Sequence, residues 1–186
     1  MTLLSPDFER IIDQAVAYHY TARVTSLRGQ MLQDENTIRA PRINDIPNTI
    51  YQKMWVGDLV YVANMLSAFS AELYLKGLCV LNGIKFPRTH NLVLLYDLLP
   101  LETRCGIENS SDYSMTFREI LETAPTNFVD IRYMAIEPAR LTIWQTMILE
   151  PLNKYLLSQS NAYRERYQFA DNLAAAETDW IGIHEE

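Results

Sequence analysis

Residues 48–81 read NTIYQKMWVGDLVYVANMLSAFSAELYLKGLCVL and contain no proline. Apolar residues recur there at alternating spacings of three and four, which is the period of one helix face. Asn82-Gly83 follows, and a glycine at this place typically ends a helix. The stretch therefore predicts one long helix from about Asn48 to Leu81. Its predicted apolar seam consists of Leu59, Val62, Leu66, Phe69, Leu73 and Val80, with Lys76 in the remaining slot.

Helix start and stop signals divide the rest of the chain in the same way. The predicted elements are a first helix from Ser5-Pro6-Asp7 to about Gly29, a loop over 34–48, a short helix over 91–99, an exposed loop over 103–111, a helix over 112–123 and a last main helix from Glu137, kinked at Pro151. We expect an all-α fold with an up-and-down bundle of four to five main helices in residues 1–158. Residues 159–186 are predicted to add a C-terminal helix and an acidic tail.

Composition limits the function classes. With 16 Lys+Arg against 23 Asp+Glu, the net charge is −7, which argues against a general DNA coat or binding to an anionic membrane surface. RNA binding would then require a local basic pocket. The two cysteines lack metal-ligand or CxxC spacing, and no apolar stretch is long enough for a membrane span. We expect a cytoplasmic protein without a signal peptide, a metal or a cofactor.

The sequence contains no complete catalytic signature. It has no glycine-rich phosphate loop, no GxSxG elbow, no ExxH pair and no basic-aromatic RNA platform. These absences argue against a nucleoside triphosphatase, a serine hydrolase or a metalloenzyme. Three constellations remain as candidate sites.

The first constellation is Glu72 and Lys76, four residues apart on the long predicted helix. Such a pair is either an exposed ion pair or, because Lys76 falls on the apolar seam, a pair with a buried or pocket-lining role. The second is His90 within Thr89-His90-Asn91-Leu92. Either this motif caps the next helix and anchors it to the core, with the imidazole bonded to backbone, or His90 acts as a ligand or general base.

The third constellation is Asp130-Ile131-Arg132-Tyr133, followed by Glu137. Arg132 is either a structural ion-pair partner of Glu72 or Glu137, or a phosphate ligand, because its guanidinium presents a planar fork of donors. By contrast, His19 on the first helix is predicted to be a core or boundary residue.

These residues resemble a known family. The run Ala68-Phe69-Ser70-Ala71-Glu72-Leu73-Tyr74-Leu75-Lys76-Gly77-Leu78, the Gly83 loop, Thr89-His90-Asn91-Leu92 and the later 128–133 segment resemble the HEPN family (higher eukaryotes and prokaryotes nucleotide-binding domains). The resemblance covers roughly residues 50–157. It implies a helical bundle, a homodimer and a role in stress or defence, including toxin–antitoxin systems.

Many HEPN proteins are metal-independent RNases, whose hallmark is an Arg followed about four to six residues later by a His that share the phosphate chemistry. Here Arg132 matches the Arg, but Ile136, Glu137 and Pro138 stand where the His belongs. We therefore expect a non-catalytic module that binds RNA, a nucleotide or a protein partner through Arg132, Tyr133, Lys76, Glu72 and His90. The alternatives are a degenerate RNase that uses Arg132 with Glu137 or His90, and a purely structural scaffold.

Overall fold

A computed structural model describes residues 6–39, 48–123, 147–159 and 164, with side chains described for 7–26, 62–123, 147–159 and 164. The described segments contain helices and no strand, which confirms the all-α prediction for this part of the chain. The helices are α1 (Pro6–Arg39), α2 (Asn48–Leu81), α3 (Leu92–Asp97), α4 (Leu101–Asn109), α5 (Phe117–Thr123) and α6 (Glu150–Gln159). Within the described residues, two of these helices are long and four are short. The bundle of four to five main helices stays a prediction, because residues 124–146 lie outside the described residues.

The antiparallel pair of α1 and α2 is the frame of the described structure. Ser70 Oγ donates a hydrogen bond of 2.7 Å to the carbonyl of Ala15, and the rings of Tyr18 and Phe69 stack at 5.7 Å. Nearer the end of α2, a Cβ on Gly77 would lie 2.5 Å from Cδ1 of Ile12. The two helix backbones therefore approach closely, and only a small residue fits at the contact.

The predicted apolar seam of α2 does not form the centre of the core. Val62 is exposed, whereas Leu66, Phe69, Leu73 and Val80 are only partly buried. The fully buried face lies beside it and carries Ala63, Ser67, Ser70, Ala71, Tyr74, Leu75, Leu78 and Cys79. Small side chains let α1 approach this face, and the serine hydroxyls find carbonyl acceptors at Ala63 and Ala15. The helix was predicted correctly, but the buried face was assigned to the wrong side.

The α2 helix ends at the predicted residue. Gly83 adopts a φ of 68°, and the amide of Ile84 donates to the carbonyl of Cys79 while the amide of Gly83 donates to that of Val80. This pair of bonds is the Schellman arrangement, which needs a left-handed residue and hence favours glycine. Ile84 then packs against the core, so the chain leaves α2 in a fixed direction into the segment that carries His90.

Two predicted loops are helical instead. The first helix continues through Gly29 to Arg39, so the start of the predicted 34–48 loop belongs to α1, while residues 40–47 lie outside the described residues. The predicted exposed loop over 103–111 is mostly the helix α4, which buries Thr103 and Ile107. A single glycine costs a helix only about 1 kcal/mol, which a long packed helix tolerates.

The short helices close the core over one side of α2. Glu108 of α4 accepts hydrogen bonds from the Tyr96 hydroxyl, at 2.8 Å, and from the Phe117 amide, at 2.6 Å. One carboxylate thereby joins α3, α4 and the start of α5. That start is Phe117 rather than the predicted residue 112, and Thr116 and Glu119 cap it reciprocally.

Helix α6 begins at Glu150, so Pro151 lies in its first turn, immediately after a π-helical turn over 147–149. Proline lacks the amide that would donate a hydrogen bond within a continuing helix, and prolines and π-helical turns are both places where helices commonly kink. Buried side chains from all six helices form one core. The predicted helix start at Glu137, most of the 159–186 tail and the boundary between the two predicted regions lie outside the described residues. Within the described ranges, no helix is both long and apolar enough to cross a membrane.

Candidate functional site

Glu72 and Lys76 form a largely buried ion pair near the end of α2. Lys76 Nζ lies 2.5 Å from Oε1 of Glu72, and the two side chains are only 18% and 10% exposed. Removal of these charges from water is costly unless each finds a partner, and the pair provides it. The pair is thus largely buried rather than exposed at the surface, and its role in lining a pocket stays a prediction.

Phe86, in the loop that follows α2, covers this pair. The Lys76 ammonium lies 5.7 Å from the centre of the Phe86 ring, a distance at which a cation is attracted to an aromatic face. Phe86 is half-buried and packs against the core. The loop over 82–91 is thereby held against the α2 helix at the point where the ion pair lies.

His90 binds the second oxygen of the same carboxylate. Its Nδ1 lies 2.8 Å from Oε2 of Glu72, although the two residues are 18 positions apart. A carboxylate oxygen accepts, so Nδ1 carries the donated proton, and in the neutral ring Nε2 is then the acceptor nitrogen. The His90 side chain is 64% exposed. The arrangement thus presents an imidazole at the surface with its ring orientation set by a buried carboxylate.

Neighbouring residues fix the backbone around His90. Asn91 is the N-cap of α3, and its side-chain oxygen accepts from the Leu94 amide at 3.0 Å. The Thr89 hydroxyl accepts from the Asn91 amide at 3.1 Å. The motif therefore caps α3 through Asn91, as its structural interpretation predicts, but the His90 imidazole contacts the Glu72 carboxylate rather than the backbone. His90 itself reaches back toward α2.

Three of the residues singled out from the sequence are thus brought together: Glu72, Lys76 and His90. We name them the Glu72 cluster. Arg132, Tyr133 and Glu137 lie outside the described residues, so their predicted roles as ligands or catalytic groups remain predictions. Sequence reasoning missed Phe86, and it also missed two exposed cations of the same loop, Lys85 and Arg88. The signal that was available is that residues 82–91 contain cations and no carboxylate.

His19 has the environment of a structural histidine, as predicted. Its Nδ1 lies 3.3 Å from the Tyr74 hydroxyl, between α1 and α2, and the two rings meet edge to face. Burial lowers the pKa of His19 from 6.5 to about 4, with a smaller contribution from the positive charge of Arg23. A buried imidazole that resists protonation fits packing between helices rather than acid–base work near neutral pH.

An oriented, exposed imidazole beside a lysine can bind an anionic group or exchange a proton with a ligand. Within the described part of the chain, no group of three or more His, Cys, Asp or Glu side chains is placed to hold a metal ion. Comparison with protein families, curated proteins and solved structures finds no match to this chain. Interpretation of the Glu72 cluster therefore rests on its geometry.

Proposed function

We propose that this protein is a HEPN-like helical module that binds RNA or a nucleotide, without cleaving it, through the surface around His90. One observation carries the proposal: Glu72, Lys76 and His90, which belong to two separate motifs of the family resemblance, join in one hydrogen-bonded cluster. As that resemblance implies, we propose that the module works as a homodimer in stress or defence, with Arg132 and Tyr133 contributing to the same surface.

The contacts of the Glu72 carboxylate favour binding over catalysis. Both oxygens of Glu72 are engaged, one by Lys76 and one by His90. The carboxylate is therefore committed to holding its neighbours rather than poised to accept a substrate proton. The residues 136–138, where the family resemblance would require a His after Arg132, are Ile-Glu-Pro. The pair of groups that shares phosphate chemistry in the RNases is thus incomplete.

The test is a titration of fluorescein-labelled single-stranded RNA and of a nucleotide with the full chain, with parallel incubation to detect cleavage. We expect binding with intact RNA, and about tenfold weaker binding for His90→Ala, which is about 1.4 kcal/mol. Lys154→Gln is the matched control, because Lys154 is an exposed cation on α6 whose partner is Asp112. Absence of binding to both RNA and nucleotide would refute the proposal and leave a scaffold or a protein-binding module.

A degenerate RNase is the second candidate, and one observation favours it. Because Nδ1 of His90 donates to Glu72, Nε2 is the nitrogen able to accept a proton from a ribose hydroxyl. This candidate predicts RNA cleavage without added metal that is lost in both His90→Ala and Arg132→Ala. Intact RNA at high protein concentration would eliminate it. If instead these substitutions change only stability, the purely structural scaffold is correct.

A further inference from the structure

The loop over 82–91 has a charge pattern unlike that of the whole chain. It reads NGIKFPRTHN, with Lys85, Arg88 and His90 and without any Asp or Glu, in a protein with a net charge of −7. Lys85 and Arg88 are both exposed. Neither forms an ion pair with any residue of the described ranges. Among the described residues, the loop therefore presents two exposed cations without an ion-pair partner, close in sequence to an exposed imidazole.

Nearby carboxylates do not cancel this charge. Glu72, the acid in contact with the loop, is balanced by Lys76, so the pair has a net charge of zero. Asp97, at the end of α3, is held by Arg118 through two bonds of 3.0 and 3.1 Å. Arg118 also pairs with Glu122, so these three groups carry a net charge of −1. With Lys85 and Arg88 counted, the sum over these described residues is +1, and RNA binding by an acidic protein requires such a local positive surface.

The loop is fixed at both ends and in its middle. Gly83 and Ile84 are held by the Schellman bonds, Asn91 caps α3, and Phe86 lies under the Lys76 ammonium. A cationic loop that is already ordered loses little conformational entropy when it binds a ligand. Because five residues span at most about 18 Å, Lys85, Arg88 and His90 can contact only a few neighbouring phosphates.

We propose that the 82–91 loop binds the backbone of a single-stranded nucleic acid, with Lys85 and Arg88 on phosphates and the exposed His90 ring against a base. This inference rests on the proposed function and names the surface and the form of its ligand. Cations beside an exposed flat ring are the combination that single strands require, because their bases are free to stack. A duplex offers phosphates to the same cations, but its bases are not available to the His90 ring.

The test measures binding of a labelled oligouridine of about 10 nucleotides to the full chain by fluorescence anisotropy, between about 50 and about 200 mM salt. The test variant is Lys85→Gln/Arg88→Gln, and the control is Arg10→Gln/Lys154→Gln. Both double variants remove two exposed cations, so both change the net charge from −7 to −9. Matching the net charge separates a local contact from a general electrostatic effect.

For a single strand, each phosphate contact contributes about 0.7 to the slope of log affinity against log salt. We expect the loop variant to lose 2 × 0.7, or about 1.4, of that slope and at least tenfold in affinity at low salt, while the control keeps the wild-type slope. Equal slopes in the loop variant and the wild type would overturn the inference. If, in that case, His90→Ala still weakens binding, the proposed function stands and only the assignment of Lys85 and Arg88 to phosphates fails. Absence of RNA binding by the wild type would overturn the inference, and absence of nucleotide binding as well would refute the proposed function.

Discussion

The Nδ1 of His90 lies 2.8 Å from the Oε2 of Glu72, and this bond joins the loop after α2 to the body of that helix. Glu72 is 10% exposed, whereas His90 is 64% exposed. The buried partner therefore positions the exposed one. The same carboxylate also neutralises Lys76, so one side chain sets both the electrostatic balance and the geometry of the candidate site.

Replacement of Glu72 tests this relationship. Glu72→Ala removes the acceptor of both Lys76 and His90 and leaves a mostly buried ammonium without its counter-charge. We expect a loss of about 2–3 kcal/mol in the free energy of unfolding, measured by urea denaturation. Lys76→Met, which keeps the apolar stem beside Phe86, should cost only about 1 kcal/mol. The double variant should then show a coupling energy of about 1 kcal/mol.

A loss below about 0.5 kcal/mol for Glu72→Ala would place the cluster among ordinary surface interactions. The matched control is Glu122→Ala on α5, where the carboxylate accepts from Arg118 but both side chains are about half exposed. We expect that exposed pair to contribute less than about 1 kcal/mol. The comparison separates the effect of burial from the mere presence of an ion pair.

Gly106 tests the packing of α4 against α6. A Cβ at this position would overlap Cε2 of Tyr155 and lie 2.8 Å from its Cδ2. Alanine in place of glycine normally stabilises a helix by about 1 kcal/mol, but overpacking a rigid ring costs about 1–3 kcal/mol. Because Tyr155 is only 8% exposed and cannot move away easily, we expect Gly106→Ala to lower the free energy of unfolding by about 1–2 kcal/mol in urea denaturation.

A second substitution identifies the cause. In a Tyr155→Leu background, where the ring is absent, Gly106→Ala should be neutral or stabilising. If the loss persists in that background, a steric conflict with Tyr155 is not its origin.

The parts of the fold that were predictable are those with a local signal. The start of α1 at Pro6 and the end of α2 before Asn82-Gly83 follow from capping and glycine chemistry, which involve only a few neighbouring residues. The core-facing side of α2 was not predictable in this way. The close approach of α1 determines which side is buried, and the contacts at Ser70 and Gly77 favour small residues rather than the most apolar ones.

In the candidate site, too, one contact was predictable from the sequence and another was not. The contact between Glu72 and Lys76 follows from their spacing of four on one helix, which sequence reasoning used. The contact between Glu72 and His90 spans 18 positions and depends on the path of the 82–91 loop. That path is set by the Gly83 turn, the Asn91 cap and the Phe86 packing acting together, so no short pattern predicts it.

His19 leads to a prediction about pH. Burial, and to a lesser degree Arg23, lowers its pKa from 6.5 to about 4 in the folded protein. Between these two values the unfolded chain binds a proton at His19 and the folded chain does not, so the free energy of unfolding rises with pH. The contribution is complete above about pH 6.5, decreases as the pH falls to about 4, and is constant below.

The measurement is urea denaturation from about pH 7 to about pH 4, for the wild type and His19→Gln. This lowering of the His19 pKa corresponds to a change of at most about 3 kcal/mol in the free energy of unfolding over that pH range. As the pH falls, we expect the free energy of unfolding of the wild type to decrease more than that of the variant, by up to this amount. Glutamine does not titrate, and the carboxylates contribute equally to both proteins. Parallel pH profiles would show that His19 is protonated as easily in the folded chain as in the unfolded one, and that it is not sealed between α1 and α2.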